Sequence, residues 1–287
     1  MAPGEDSFKA FFLPAAKGRR FCLLRRPGAG AGLRGGLVYV HPFAEEMNKA
    51  RRMAALQARA FAAAGWAVLQ IDLFGCGDSS GDFGEAAWED WIGDALMARD
   101  WLHAEIGAAP WFWGLRAGGL VAAEAARRGE AAGLLFWQPV LSGRAHLRQF
   151  LRLKSAGEML SGAGAGGVER LRAALERGEA VEVAGYTLSP GVALGLEGAD
   201  LSLPGRPARV EWIETAGADG GVSPGAAARI EQWRAQGHAV RPAAVPAPAF
   251  WQTTEIAESQ EWIDATLAAM EGWRINHGEH GAHGEKT

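Results

Sequence analysis

Trp111-Phe112-Trp113-Gly114-Leu115-Arg116-Ala117-Gly118 constrains this chain more than any other stretch. A short apolar run, suited to a buried strand, leads into a turn flanked by glycines. An alanine-rich helical stretch, Leu120 to Arg127, follows directly. Strand, tight turn and helix in that order is the setting of the Gly-x-Ser-x-Gly elbow, which lifts a nucleophilic serine above the end of a sheet. Here Arg116 holds the serine position. A guanidinium stays protonated and offers no lone pair, so it cannot attack a carbonyl. The turn reads as the scaffold of a hydrolytic site without its nucleophile.

The flanking pattern supports an α/β fold. Phe8 to Leu13 and Arg19 to Leu24 read as antiparallel strands joined by a turn at Lys17-Gly18. Strands are expected at Leu37 to His41, Ala67 to Asp72, Pro110 to Trp113, Leu134 to Trp137, Arg209 to Glu214 and Ala239 to Val245. Helices are expected at Met47 to Ala64, ending at Gly65, and at Trp88 to Ile106, with Asp90, Asp94 and Asp100 on the polar side. Two more are expected at Pro224 to Gln236 and Glu255 to Met270. Strands alternating with helices imply a mostly parallel central sheet flanked by helices. After Pro139 the rhythm changes: amphipathic helices at Arg144 to Leu160 and Val168 to Arg177, an alternating strand at Val181 to Leu188, and a helical piece at Pro190 to Leu196. Residues 141–203 are thus expected to be a helical lid inserted in a core of 1–140 and 204–271, with 272–287 as a flexible tail.

Composition narrows the function classes. The chain has 287 residues, 48% hydrophobic and 22% charged, ordinary for a globular protein. A net charge of −4 argues against nucleic acid as a main partner. No apolar run approaches the ~18 residues of a membrane span. Met1 to Lys17 carries Glu5 and Asp6 and lacks a signal core. The two cysteines, Cys22 and Cys76, fit a reducing compartment, so the cytoplasm is the expected location. No cofactor is expected; His277, His280 and His283, spaced by three, could bind a metal but read first as a flexible histidine-rich tail.

Four clusters could carry chemistry. Arg116 would place a cation at the positive end of a helix dipole, unfavourable by about 0.3–1 kcal/mol. It therefore needs a carboxylate partner, an anionic ligand or a route to solvent. The segment His41-Pro42-Phe43-Ala44-Glu45-Glu46-Met47-Asn48 ends a core strand. Pro42 has no N–H, so Phe43 or Ala44 would supply one oxyanion donor, and the residue after the elbow position, Ala117, the other. Glu45 and Glu46 are candidate partners for Arg116, or acids favoured at a helix N-terminus. Leu115 and Trp251 belong to the same candidate ligand region. Lys49, Arg51 and Arg52 read as a solvated helix face, and His41 as a structural histidine. Asp72-Leu73-Phe74-Gly75-Cys76-Gly77-Asp78-Ser79-Ser80-Gly81 contains Cys76, a second candidate nucleophile and equally a packed thiol. Asp219 falls where a triad acid follows the nucleophile in chain order. It could pair with Arg116 or merely cap its loop. The histidine should come after Val245, but the chain there reads Pro248-Ala249-Phe250-Trp251-Gln252. The base is missing as well as the nucleophile.

Together these segments, over roughly Lys9 to Met270, resemble the α/β-hydrolase superfamily. More narrowly, His41 to Lys49, Asp72 to Phe83, Trp113 to Gly118 and Phe250-Trp251-Gln252 resemble the second hydrolase type associated with the exosortase A system. The resemblance implies an α/β-hydrolase fold and a bacterial protein encoded alongside exopolysaccharide and protein-sorting genes, with arginine the usual residue at the elbow. It implies a hydrolase of ester, thioester or acyl-carbohydrate bonds, and exopolysaccharide-pathway proteins as partners. Fold does not fix function, so two other classes stand beside it. One is a non-catalytic module holding a small anionic or acylated ligand. The other is a scaffold whose Arg116 is neutralised internally. In the enzymatic reading Arg116 holds or polarises the substrate, and Glu45, Glu46 or Asp219 activates water, or Cys76 attacks.

Overall fold

The computed structural model describes residues 7–273 except 29, 31 and 161–166; for 155–160 it describes backbone alone. The histidine-rich tail expected at the C-terminus falls on 274–287, outside the described residues.

An eight-stranded sheet organises the chain, in the order β1-β2-β4-β3-β5-β6-β9-β10. β1 (Ser7–Pro14) and β2 (Arg19–Arg26) form an antiparallel hairpin, and β2 lies antiparallel to β4 (Trp66–Ile71). β3 (Gly35–Val40), β5 (Trp111–Leu115), β6 (Leu134–Trp137), β9 (Arg209–Thr215) and β10 (Ala239–Val245) continue the sheet in parallel.

The inner strands β3, β4, β5, β6 and β9 are buried on both faces, and successive residues enter opposite cores. In β5, Trp111, Trp113 and Leu115 enter one core while Phe112 enters the other. β3 divides Leu37 and Tyr39 from Val38 and Val40 in the same way. The first core lies under α1 (Glu45–Ala63) and α8 (Gln260–Met270), and carries Trp113, Trp137 and Trp262 packed edge to face. The second lies under α2 (Trp88–Ile106), α3 (Gly118–Arg128) and α7 (Pro224–Ala235).

Between β6 and β9 the chain forms α4 (Gly143–Leu160), α5 (Gly167–Glu176), the hairpin β7 (Val181–Val183) and β8 (Tyr186–Leu188), and α6 (Pro190–Gly198). Their apolar faces, with Leu147, Leu171 and Leu196 buried, join the second core.

Three expectations need correction. Val181 to Leu188 is two strands, because Ala184 and Gly185 both take positive φ (51° and 83°) and turn the chain back. The last helix begins at Gln260 rather than Glu255, where the Ser259 hydroxyl accepts the Trp262 N–H at 3.1 Å and caps it. Asp94 does not face solvent with Asp90 and Asp100. It is buried and paired with buried Arg20, whose Nε donates to it at 2.7 Å. Among the described residues no helix is long and apolar enough to cross a membrane.

The chain leaves β3 toward β4 on one side and reaches β5 on the other. The carboxyl ends of β3 and β5 therefore flank the crevice where sheets of this kind bind ligands.

Candidate active site

Arg116 stands at that crevice, directly after β5, with φ 54°. This left-handed conformation costs a non-glycine residue on the order of 1–3 kcal/mol and persists only where its surroundings impose it. They do so here. The Arg116 N–H donates to the Trp137 carbonyl at 2.9 Å, and its own carbonyl accepts the Gly119 N–H at 3.0 Å. A Cβ on Gly118 would sit 2.4 Å from the carbonyl oxygens of Val40 and His41, and one on Gly114 would sit 2.6 Å from Gly119 Cα. Only glycine lets the turn approach β3 this closely. These contacts fix the tight turn between β5 and α3, with Arg116 at its apex.

The guanidinium is mostly buried. Its Nε donates to Glu46 Oε1 at 3.2 Å and its Nη1 to the Gln138 carbonyl at 3.4 Å. Glu46 lies in the first turn of α1, where the helix dipole favours an acid. Burial pushes its carboxyl above the usual carboxylate range, against the opposing pull of Arg116. Gln252 faces the same carboxylate without reaching hydrogen-bond geometry, and Oε2 is left buried and unpartnered. The Trp251 ring lies 5.7 Å from the guanidinium carbon.

These groups wall a cavity of about 400 Å³. Phe43, Ala44, Glu45 and Lys49 line it from the β3–α1 side, and His146, Gln149, Phe150 and Leu153 from α4. Ala184, at the β7–β8 turn, completes the lining. Ala44 also has positive φ, 50°. Ala117 lines a small void that Phe43 shares. Among the described residues no protein acceptor takes the N–H of Ala44 or Ala117.

The remaining sequence candidates sit elsewhere. Glu45 is exposed and accepts from Tyr186 Oη at 3.0 Å and Asn48 Nδ2 at 3.1 Å, tying α1 to β8 rather than meeting Arg116. Asp219 is exposed and accepts the Gly221 N–H at 3.0 Å; it caps its loop and does not pair with Arg116. Cys76 is buried in a neighbouring hollow with Gly75, Tyr186 and Phe83, not in the Arg116 cavity. Burial, then Asp72 and Asp94, push its thiol far up, the opposite of nucleophile activation. The Leu115 side chain lies in the tryptophan-rich core and does not line the cavity. The presumed solvated face of α1 is also divided. Lys49 lines the cavity and donates to the Gln252 carbonyl at 3.4 Å, while Arg51 pairs with Asp72 and Arg52 with Glu258.

His41 is structural. Its Nε2 accepts the Leu73 N–H at 3.2 Å, so Nδ1 carries the proton and donates to the Pro42 carbonyl at 2.8 Å. Burial holds its pKa below the usual histidine value.

Sequence reading missed His146. It comes from α4, is buried, and packs edge-on to Phe43 at 5.8 Å between ring centres. Burial, reinforced by Arg116, lowers its pKa to about 3, so the imidazole is neutral. Among the described residues its Nδ1 has no partner. A helical wheel holds the signal, because 146, 149/150 and 153 share one face of α4.

No family model matches the chain, and no curated protein matches its sequence. Solved structures do match in shape. An α/β serine hydrolase of Xanthomonas campestris, described as lacking a lid, superposes with a TM-score of 0.56 at 16% identity, covering 92% of this chain and 93% of that one. Est1E of Butyrivibrio proteoclasticus, solved with ferulic acid bound, gives 0.60 at 14% identity over 92% and 97%. Carboxyl esterase 2 of Tuber melanosporum gives 0.56 at 14% identity over 93% and 87%. At these identities the likeness shows the fold: this chain has the α/β-hydrolase architecture.

Proposed function

We propose that this protein hydrolyses an ester-type bond without an acyl-enzyme, by direct attack of water. The observation that carries the reading is the Arg116–Glu46 pair at an intact elbow, on the wall of a cavity large enough for a small-molecule ligand. Arg116 polarises the substrate carbonyl. Glu46, whose side chain is 17% exposed, takes a proton from water as the water oxygen bonds to the carbonyl carbon. A carboxylate raised above its usual pKa is suited to that task. Arg116 and the unpaired N–H groups of Ala44 and Ala117 hold the resulting oxyanion. Collapse breaks the bond to the alkoxide or thiolate leaving group, which recovers the proton from Glu46. Residues 141–203 act as the lid over a core of 1–140 and 204–271.

The sequence resemblance supports a narrower assignment, the second exosortase A-associated hydrolase type, with exopolysaccharide-pathway proteins as partners. The free cysteines Cys22 and Cys76 support a cytoplasmic location.

The test is turnover of a panel of acyl esters, thioesters and acylated sugars at high enzyme concentration. Hydrolysis that falls about 10²–10⁴-fold in Glu46→Gln supports a general base there. Turnover unaffected by Glu46→Gln overturns it. The missing serine and histidine favour a second reading, a binding module with no turnover. Ligand-induced thermal stabilisation without hydrolysis would select it.

A further inference from the structure

We infer that the substrate is an ester carrying one free carboxylate, and that Lys49 is the residue that selects it. This rests on the proposed function for the carbonyl that meets Arg116, and adds the charge of the molecule bearing that carbonyl.

Lys49 lines the Arg116 cavity from the second turn of α1. Its ammonium donates to the Gln252 carbonyl at 3.4 Å, and among the described residues no carboxylate lies within ion-pair distance of it. Two acids share the wall, and both are engaged elsewhere. Glu46 accepts from Arg116 Nε at 3.2 Å. Glu45, one turn before Lys49, is the helix neighbour that ordinarily pairs with a lysine at this spacing. Its Oε2 instead accepts from Tyr186 Oη at 3.0 Å and Asn48 Nδ2 at 3.1 Å, two neutral donors. Glu45 is also exposed, where water and salt screen its charge.

The inner wall therefore holds two cations, Arg116 and Lys49, around one acid. Both pull down the pKa of Glu46, Arg116 more strongly than Lys49. A ligand with a single negative charge balances the set. A phosphate monoester carries about −1.5 to −2 and would press its surplus against Glu46. A carboxylate fits the charge, and an ammonium is a point charge that binds it without a fixed geometry.

The other lining groups receive the rest of the molecule. Arg116 uses Nε for Glu46 and Nη1 for the Gln138 carbonyl. Its Nη2 has no protein partner among the described residues and is not sealed in the core, so it is left for the ester carbonyl. Phe150 and Leu153 of α4 give an apolar surface for an alkyl arm, and Leu153 is 58% exposed with no ligand over it.

The test uses analogues without an ester bond. Calorimetry compares the γ-keto acid of octanoic length with its primary amide. Both keep a carbonyl and an alkyl arm, and they differ by one negative charge. The acid is expected to bind about tenfold more tightly, the worth of one hydrogen bond between charged groups. In wild-type protein that preference should shrink as salt is raised. Lys49→Met keeps the side chain's length and helix propensity and is expected to bring the acid down to the level of the amide, while Lys49→Arg retains most of the preference. Octanoate should outbind octyl phosphate. The amide binding as tightly as the acid, a preference that survives in Lys49→Met, tighter binding of octyl phosphate than of octanoate, or no binding of either keto compound would each overturn the inference. Because the keto acid has no ester to cleave, failure to hydrolyse any ester would sink the proposed reaction and leave the charge preference standing.

Discussion

The Trp251 indole faces the Arg116 guanidinium, with 5.7 Å between ring centre and Cζ. Trp251 lies on the loop after β10, where the triad histidine of a serine hydrolase would follow, and Arg116 holds the elbow where the serine would stand. The two side chains form one cation–π pair.

Restoring the serine alone should therefore fail. Arg116→Ser leaves a hydroxyl with an indole where its base should be, and His41 is committed to Leu73 and Pro42. The variant is expected to show no covalent labelling by a fluorophosphonate probe and no burst of acyl-enzyme. Labelling at wild-type serine-hydrolase rates would mean that another base reaches this position.

The pH dependence of turnover follows from Glu46. Burial raises its pKa above the ordinary 4.5, and Arg116 opposes that rise. As the proposed base, Glu46 would act when ionised, so hydrolysis is expected to climb with pH along an acid limb centred above 4.5. Removing the opposing cation in Arg116→Ala should move the limb to still higher pH. A limb that stays in place in this variant would show that the titrating group is not Glu46.

Much of this was legible in the sequence, and the failures have physical causes. The strand at Leu134 to Trp137 was readable because an apolar run bounded by turns leaves few alternatives. The elbow was readable because Gly114 and Gly118 are demanded by backbone contacts closer than a side chain permits. The choice between Glu45 and Glu46 was not readable. Adjacent helical residues point about 100° apart, and only the docking angle of α1 decides which meets Arg116. Asp94 was misread because its partner Arg20 is distant in sequence, on a strand. His146 was missed as a site residue because the helical wheel groups it with 149/150 and 153 on one face of α4, while its relation to Arg116 depends on how the segment after β6 folds back.

His146 also predicts a pH-dependent stability term. Its pKa falls from 6.5 to about 3 on folding, because burial disfavours the charged ring. Between these values the unfolded chain binds more protons at this residue than the native state, so its contribution to stability shrinks as pH falls. It is fully present above 6.5 and lost on acidification toward 3. Chemical denaturation across that window should show a shallower acid decline in His146→Gln than in wild type. Parallel curves would mean that the ring is solvated in solution.

The loop carrying Cys76 hangs on a buried ion pair. Arg20 Nε donates to Asp94 Oδ2 at 2.7 Å, and the same oxygen accepts the Phe74 N–H at 2.7 Å. Asp94→Ala would strand Arg20, which is 2% exposed, in the core. Loss of about 3–5 kcal/mol is expected in denaturant unfolding, as for one partner removed from a buried pair. Replacing both with apolar residues of similar volume should cost much less, because no uncompensated charge remains.

Gly118 tests whether the elbow still matters in the absence of a nucleophile. Its missing Cβ leaves room for the carbonyls of Val40 and His41, both backbone atoms that no side-chain rotation can clear. Gly118→Ala must push α3 away from β3, at about 1–3 kcal/mol for an overpacked contact. The displacement would swing Arg116 relative to Glu46, since the Arg116 carbonyl is tied to the Gly119 N–H at 3.0 Å. Thermal unfolding should fall by several degrees, and ligand binding should fall further than the stability loss alone accounts for. Gly119→Ala is the control: its Cβ would meet only side-chain carbons of Phe136 and Pro139, at 3.3 Å, and it should perturb the cavity less. Equal effects from the two variants would argue that the elbow transmits nothing to the site.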